Sequence, residues 1–228
     1  MPLAIAHRGD PEAWRENTLA SFASAVRQGA DMVEIDLRRT ADDEIVVLHD
    51  PTLERLWGVP AAVDQLDLAQ VQAAGQGPVE GEHRIPTFAQ VLAQVTVPLM
   101  VDFTRRDVVE GALRQAAEAG ALERCLFVTG NVEALRLLRG LSAEARLGLT
   151  WVEPGPLPAD LLTELGAEYW NPMFKLATPA HVAAVHALGL GVSTWTVDAR
   201  RHMARLRDTG VDAIVSNRIA DLVRFLAA

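Results

Sequence analysis

The feature that most restricts this chain is a rhythm: short apolar runs alternate with longer stretches of helical periodicity from Leu3 to the last residues, with no Ser- or Gly-rich linker between them. The runs are Leu3–Ala6, Met32–Leu37, Ile45–Leu48, Leu99–Phe103, Cys125–Val128, Arg146–Thr150, Tyr169–Asn171, Gly191–Thr196 and Asp212–Val215. Helix-like stretches such as Glu133–Leu141 and Ala199–Asp208 follow most of them. Repeated βα units of this kind predict an α/β fold around a parallel sheet.

Nine runs are one more than a closed eightfold barrel uses. Only Arg38–Glu44 separates the second run from the third, too little for the dozen or so residues of a parallel crossover, so these two are expected to pair as an antiparallel hairpin turning near Asp42 and Asp43. A tight two-residue turn there would set His49 opposite Asp36. The remaining eight βα units suit the 228 residues of a compact TIM (β/α)8 barrel. The reading is one domain over 1–228, with an insertion over about residues 50–84 on the active-site side that carries one helix-like piece, Leu68–Ala74. A doubly wound open sheet shares this rhythm and is the alternative.

Composition narrows the function classes. Half the residues are hydrophobic and 22% charged, which excludes a disordered chain. A net charge of -9 disfavours broad adhesion to nucleic acid or anionic lipid, yet leaves room for an anionic substrate held by a few local cations. The single cysteine, Cys125, has no partner for a bridge and sits in an apolar run that reads as core. No apolar run reaches the 18 or so residues of a membrane span, and no basic-then-hydrophobic leader opens the chain, so a cytoplasmic protein is the expectation. No Gly-x-Gly-x-x-Gly or Walker sequence follows a strand, which disfavours nucleotide chemistry.

In a barrel the reacting groups belong at the C-terminal ends of the strands. There the sequence places His7-Arg8-Gly9, Glu34-Ile35-Asp36, His49-Asp50 at the end of the hairpin arm, and Asp102 on the third barrel strand. Residues two apart on a strand share a face, so Glu34 and Asp36 lie side by side. With Asp102 they offer three hard oxygen ligands, a set suited to Mg2+ or Ca2+. A polar interior network neutralised by an arginine is the plainer account of the same acids. His7 and His49, beside them, have the residue type for general acid and base work near neutral pH.

His7-Arg8-Gly9, Glu16-Asn17-Thr18, Gly29 to Leu37, the Val46 to Asp50 arm, Ile85-Pro86-Thr87, Trp195-Thr196-Val197 and Gly210 to Ile214 stand in an order that resembles the glycerophosphodiester phosphodiesterase family, over residues 3 to about 219. The resemblance implies a TIM barrel that hydrolyses glycerophosphodiesters to glycerol 3-phosphate and an alcohol with a divalent cation. By position His7 and His49 match the acid and base, Glu34, Asp36 and Asp102 the metal ligands, and Arg8 the cation that holds phosphate. Glu16 is expected to orient Arg8 or a histidine, while Asn17 also reads as the N-cap of the first helix. Trp195, at a strand end, is expected to offer its ring to the glycerol carbons.

Departures are equally informative. The family's glutamate and, two residues later, lysine read here as Asp102-Phe103-Thr104, and Thr104 cannot neutralise phosphate. Lys175, the only lysine of the chain, and Arg105 are the candidate replacements by position. Asp43 stands where glycine is usual in the hairpin turn, Thr129-Gly130 follows the fourth barrel strand, where Gly130 should enlarge the pocket, and Ser216-Asn217 closes the last. His83, His181, His186 and His202 lack metal spacing and read as surface or helix positions. The alternative functions are a related phospholipase-D-like lyase or a diesterase with another headgroup, and a silent phosphodiester-binding module.

Overall fold

The computed structural model describes residues 1–74 and 84–228, and each of the nine apolar runs contains a strand. These are β1 (Leu3–His7), β2 (Met32–Arg39), β3 (Ile45–Val47), β4 (Leu99–Asp102), β5 (Cys125–Thr129), β6 (Arg146–Trp151), β7 (Tyr169–Pro172), β8 (Gly191–Thr194) and β9 (Ala213–Ser216). All but β3 pair in parallel, and β1 pairs with both β2 and β9. That double pairing closes a (β/α)8 barrel and removes the open-sheet alternative. The intervening helices are α1 (Leu19–Arg27), α2 (Glu54–Trp57), α3 (Leu68–Ala74), α4 (Phe88–Gln94), α5 (Val109–Glu118), α6 (Val132–Leu141), α7 (Ala159–Leu165), α8 (Pro179–Ala187), α9 (Arg200–Thr209) and α10 (Ile219–Leu226). Thr18, Thr87, Asn131 and Thr178 start α1, α4, α6 and α8 by accepting a free first-turn amide. Among the described residues no helix is long and apolar enough to cross a membrane.

Strand alternation divides the core in two. Ile5, Met32, Met100, Leu126, Val128, Ala213 and Val215 pack together inside the barrel. The intervening residues, including Val33, Ile35, Val101, Phe127, Leu147 and Ile214, pack outward with Leu138, Val185, Leu206 and Leu222 of the helices. Each such buried side chain stabilises the fold by about 1.5–3 kcal/mol. Cys125 lies in this outer layer, where burial pushes its thiol up to about 11, far from a reactive thiolate.

The inward face has a second consequence. Two residues beyond Ile5, Met32 and Met100, toward the C-terminal end, it carries His7, Glu34 and Asp102. The register sets His7 beside Glu34, and Asp36 beside Asp102. Parallel pairing alone therefore gathers these groups.

The hairpin corrects one expectation. Arg39 pairs with Ile45 and Thr40 N donates to Glu44 O at 2.9 Å, so the loop has three residues, Ala41 to Asp43, with Asp43 in the left-handed region at φ 66°. The extra residue sets Leu48, not His49, opposite Asp36, with Leu48 N donating to Asp36 O at 2.9 Å. Beyond the arm, Leu53, Val63, Val71 and Ile85 close a small satellite core on Val46 and Leu48. The expected Leu68–Ala74 helix is present as α3, joined by α2, which the apolar pattern did not signal. The end of the expected insertion and His83 lie partly or wholly in 75–83, outside the described residues.

The turn after β1 is built on Gly9, at φ 90°, following Arg8 at φ 58°. Ser21 Oγ on α1 clamps this turn, accepting from Asp10 N at 2.7 Å and donating to Arg8 O at 3.1 Å. A Cβ on Gly9 would sit 2.3 Å from that oxygen. Gly9→Ala should therefore cost about 2–4 kcal/mol, combining left-handed strain with the clash. Urea denaturation measures it; an unchanged midpoint contradicts this account of the turn.

Candidate active site

The inward polar face opens into a cavity of about 240 Å³, lined by His7, Arg8, Glu34, Asp36, His49 and Asp102 together with Arg38, Thr104, Gly130 and Trp195. Glu34, Asp36 and Asp102 each place a carboxylate oxygen within 4.8 Å of the others'. Like charges so close, removed from water, resist ionisation. Burial, then Asp36 and Asp102, raise Glu34 well above the usual carboxylate range. Burial, then Asp36, push Asp102 up to about 7.

The cluster is partly compensated by Arg8 and Asn17. Arg8 N donates to Glu34, at 3.1 Å to the main-chain oxygen and at 2.9 Å to Oε2. Its Nε lies 3.1 Å from Asp36 Oδ2 as an ion pair, although the angle falls short of a hydrogen bond. Glu16 Oε1 accepts from Arg8 Nη1 at 3.0 Å. Asn17 Nδ2 donates to Asp36 Oδ2 at 2.8 Å. Thr18, not Asn17, is the N-cap of α1, because Asn17 turns into the left-handed region at φ 58° to aim its amide at Asp36. The Glu16-Asn17-Thr18 triplet thus supplies an arginine anchor, a carboxylate anchor and a helix cap in succession.

The histidines differ in surroundings. His7 Nδ1 lies 2.7 Å from Asn217 Oδ1, and Asn217 Nδ2 donates to Asp198 Oδ2 at 2.8 Å. Because the Asn217 amide nitrogen must face the Asp198 carboxylate, its oxygen faces His7, so His7 Nδ1 carries the proton. The lone pair of the neutral ring is then on Nε2, 3.9 Å from Glu34 Oε2. Burial, then Arg8, lower the pKa of His7 and favour that neutral form. His49 Nδ1 instead lies 2.7 Å from Asp50 Oδ1. Hydrogen bonds from Arg55 hold Asp50 down at about 2, so a carboxylate backs this ring. Arg55 Nη2 also donates to Glu16 Oε1 at 2.7 Å, which ties the segment after the hairpin arm to the Arg8 anchor.

Trp195 lines the cavity with its Nε1 donating to Asn171 O at 3.0 Å. Gly130 lies on the wall, its missing Cβ 3.3 Å from Thr150 O. The two candidates for the missing lysine lie elsewhere. Lys175 is exposed in the turn after β7 and is not part of the lining, and Arg105 is exposed and paired with Asp107 at 2.6 Å and Asp64 at 3.4 Å. Arg38, which sequence reasoning passed over, is on the wall: its Nη1 donates to Thr104 Oγ1 at 3.1 Å and its Nε to His49 O at 2.9 Å. Strand alternation puts Arg38 on the same face of β2 as Glu34 and Asp36, so the i, i+2 spacing is the signal that could have found it. His181, His186 and His202 lie on α8 and α9, away from the cavity.

Comparison with known proteins agrees with this geometry. The profile of the glycerophosphoryl diester phosphodiesterase family matches residues 7–221. A glycerophosphodiester phosphodiesterase of Caldanaerobacter subterraneus is 27% identical over 98% of this chain and 97% of its own. "Probable glycerophosphodiester phosphodiesterase 1" of Mycobacterium tuberculosis is 40% identical over 92% of this chain and 87% of its own. An Oleispira antarctica phosphodiesterase solved with the product sn-glycerol-3-phosphate superposes with a TM-score of 0.88 at 23% identity, covering 100% of this chain and 98% of that one.

The Asp102 shift has a measurable consequence. Between about pH 4 and about 7 the folded protein holds a proton that the unfolded chain has lost, so metal-free stability falls as pH rises through that window. Three pKa units are worth at most about 4 kcal/mol, or on the order of 10 °C at this chain length. Metal-free Asp102→Asn should melt above the parent at pH 8, by a margin that narrows at pH 5. A variant melting at or below the parent at both pH values contradicts the repulsion.

Proposed function

Since the chain belongs to the glycerophosphoryl diester phosphodiesterase family of phosphoric diester hydrolases, we infer that it hydrolyses glycerophosphodiesters to glycerol 3-phosphate and an alcohol, acting as a single catalytic domain. The observation that carries this reading is the convergence, on one cavity, of two differently supported histidines and three carboxylates. The glycerol 3-phosphate bound by the Oleispira antarctica protein supports the same substrate class.

The donor set fits a hard divalent cation, Mg2+ or Ca2+: three carboxylates crowd together and two are pushed toward protonation, a repulsion that a dication relieves. Glu34, Asp36 and Asp102 would hold it. When bound, such an ion supplies Lewis-acid polarisation of a phosphoryl oxygen. The chain's own groups do the rest. His7, neutral with its Nε2 lone pair free, accepts the proton of the attacking hydroxyl. His49, held at Nδ1 by Asp50, protonates the leaving alkoxide. Arg8 places charge-assisted donors beside the phosphate, with Glu16 fixing its orientation. Trp195 offers its ring to the glycerol carbons.

The deciding experiment is release of glycerol 3-phosphate from a panel of glycerophosphodiesters, with each divalent cation returned in turn after chelation. Activity should vanish in excess chelator, and phosphorus NMR would reveal a lyase, which stops at a cyclic phosphate. His7→Ala and His49→Ala should each lower turnover by at least about a hundredfold with the fold intact. Near-parental turnover in either folded variant removes that histidine from the reaction.

A further inference from the structure

Two arginines line the cavity, and their electrostatic situations are opposite. Arg8 is engaged by two carboxylates, Glu16 at 3.0 Å and Asp36 at 3.1 Å. Arg38 has no carboxylate oxygen within ion-pair distance among the described residues; its partners are the neutral His49 carbonyl and the Thr104 hydroxyl. We propose that Arg38 is a second phosphate-binding cation of this cavity, taking the place left without a cation at Thr104. This assignment rests on the diester-hydrolase reading and deepens it.

Three observations support it. The first is donor capacity. A guanidinium carries five N–H groups; Nε and Nη2 each donate one to His49 O and Nη1 donates one to Thr104 Oγ1. Two N–H groups, one on each terminal nitrogen, remain for a ligand, which is the number a bidentate contact to phosphate uses. The second is rigidity. The same three bonds fix the fork between the hairpin arm and the chain just beyond β4, and Thr104 is itself held where Asn131 Nδ2 donates to its carbonyl at 3.2 Å. A cation held in place before the ligand arrives loses little freedom on binding. The third is charge balance. Among the described residues the cavity wall carries three carboxylates and two guanidiniums, so Arg38 adds a positive charge to a wall that is otherwise acidic, where an anionic phosphate has to bind.

Because Arg38 also holds the His49 carbonyl, the test must separate charge from positioning. Arg38→Gln keeps an amide that can donate to His49 O but loses the charge; Arg38→Lys keeps a charge but loses the fork. Binding of glycerol 3-phosphate is measured by calorimetry on the protein with Mg2+ and again after chelation, beside KM and kcat for a glycerophosphodiester. Loss of a charge-assisted contact predicts that Arg38→Gln weakens glycerol 3-phosphate binding and raises KM by at least about tenfold. Arg38→Lys should stay much closer to the parent in affinity, and Thr104→Lys added to Arg38→Gln should recover part of the lost affinity. If folded Arg38→Gln binds glycerol 3-phosphate as the parent does, or if both variants lose only kcat, Arg38 merely positions His49 and the proposal fails. A parent that neither turns over a glycerophosphodiester nor binds glycerol 3-phosphate overturns the diester-hydrolase reading itself, and the Arg38 assignment with it.

Discussion

Everything at the mouth of this barrel depends on mutual repulsion among Glu34, Asp36 and Asp102. Three carboxylates whose oxygens approach within 4.8 Å, largely away from water, are an unfavourable arrangement that a fold maintains only if other groups compensate it. The compensation is visible on every side. Arg8 is held in the left-handed region so that its amide meets Glu34 and its guanidinium meets Asp36. Asn17 adopts the same conformation to reach Asp36. Glu16 and Arg55 then fix Arg8 and Asp50, and so connect the acidic cluster to the second histidine. The cost of the cluster is spread over a network that also orients the histidines lining the cavity.

The barrel positions this network through register, with little help from loops. Inward residues of β1, β2 and β4 are apolar at depth and ionisable at the C-terminal end, so the same alternation that fills the interior with Ile5, Met32 and Met100 presents His7, Glu34, Asp36 and Asp102 to one cavity. The hairpin arm is the exception, because β3 lies outside the barrel and has to bring His49 back to the rim. Its satellite core and the Arg38 grip on the His49 carbonyl accomplish that. The two histidines thereby acquire different partners: a neutral amide braced by Asp198 for His7, and a carboxylate for His49.

Much of this was legible in the sequence, for reasons that can be named. Strand boundaries followed from apolar runs bounded by turns, and closure of the barrel from the count of βα units once the short Arg38–Glu44 connection had identified the hairpin. The acidic cluster was legible because the i, i+2 rule is rigid on a strand. What escaped was set by single residues of loop geometry. One extra residue in the turn, with Asp43 at φ 66°, moved His49 out of register with Asp36. The role of Asn17 was hidden behind helix-capping chemistry that its neighbour Thr18 performs. Arg38 obeys the same i, i+2 rule as Glu34 and Asp36, but the search for a cation followed chain position toward Lys175 and Arg105; what the rule does not give is where the guanidinium rests, which the His49 carbonyl and the Thr104 hydroxyl decide.

The divalent cation proposed here, seated among Glu34, Asp36 and Asp102, would relieve their repulsion and complete the site. Anomalous diffraction from a crystal grown with Mn2+ and glycerol 3-phosphate tests it most directly. The account predicts one strong peak bounded by oxygens of all three carboxylates, with the phosphate on the same cavity wall as His7 and His49. A peak elsewhere, or none while the phosphate is bound, would contradict it.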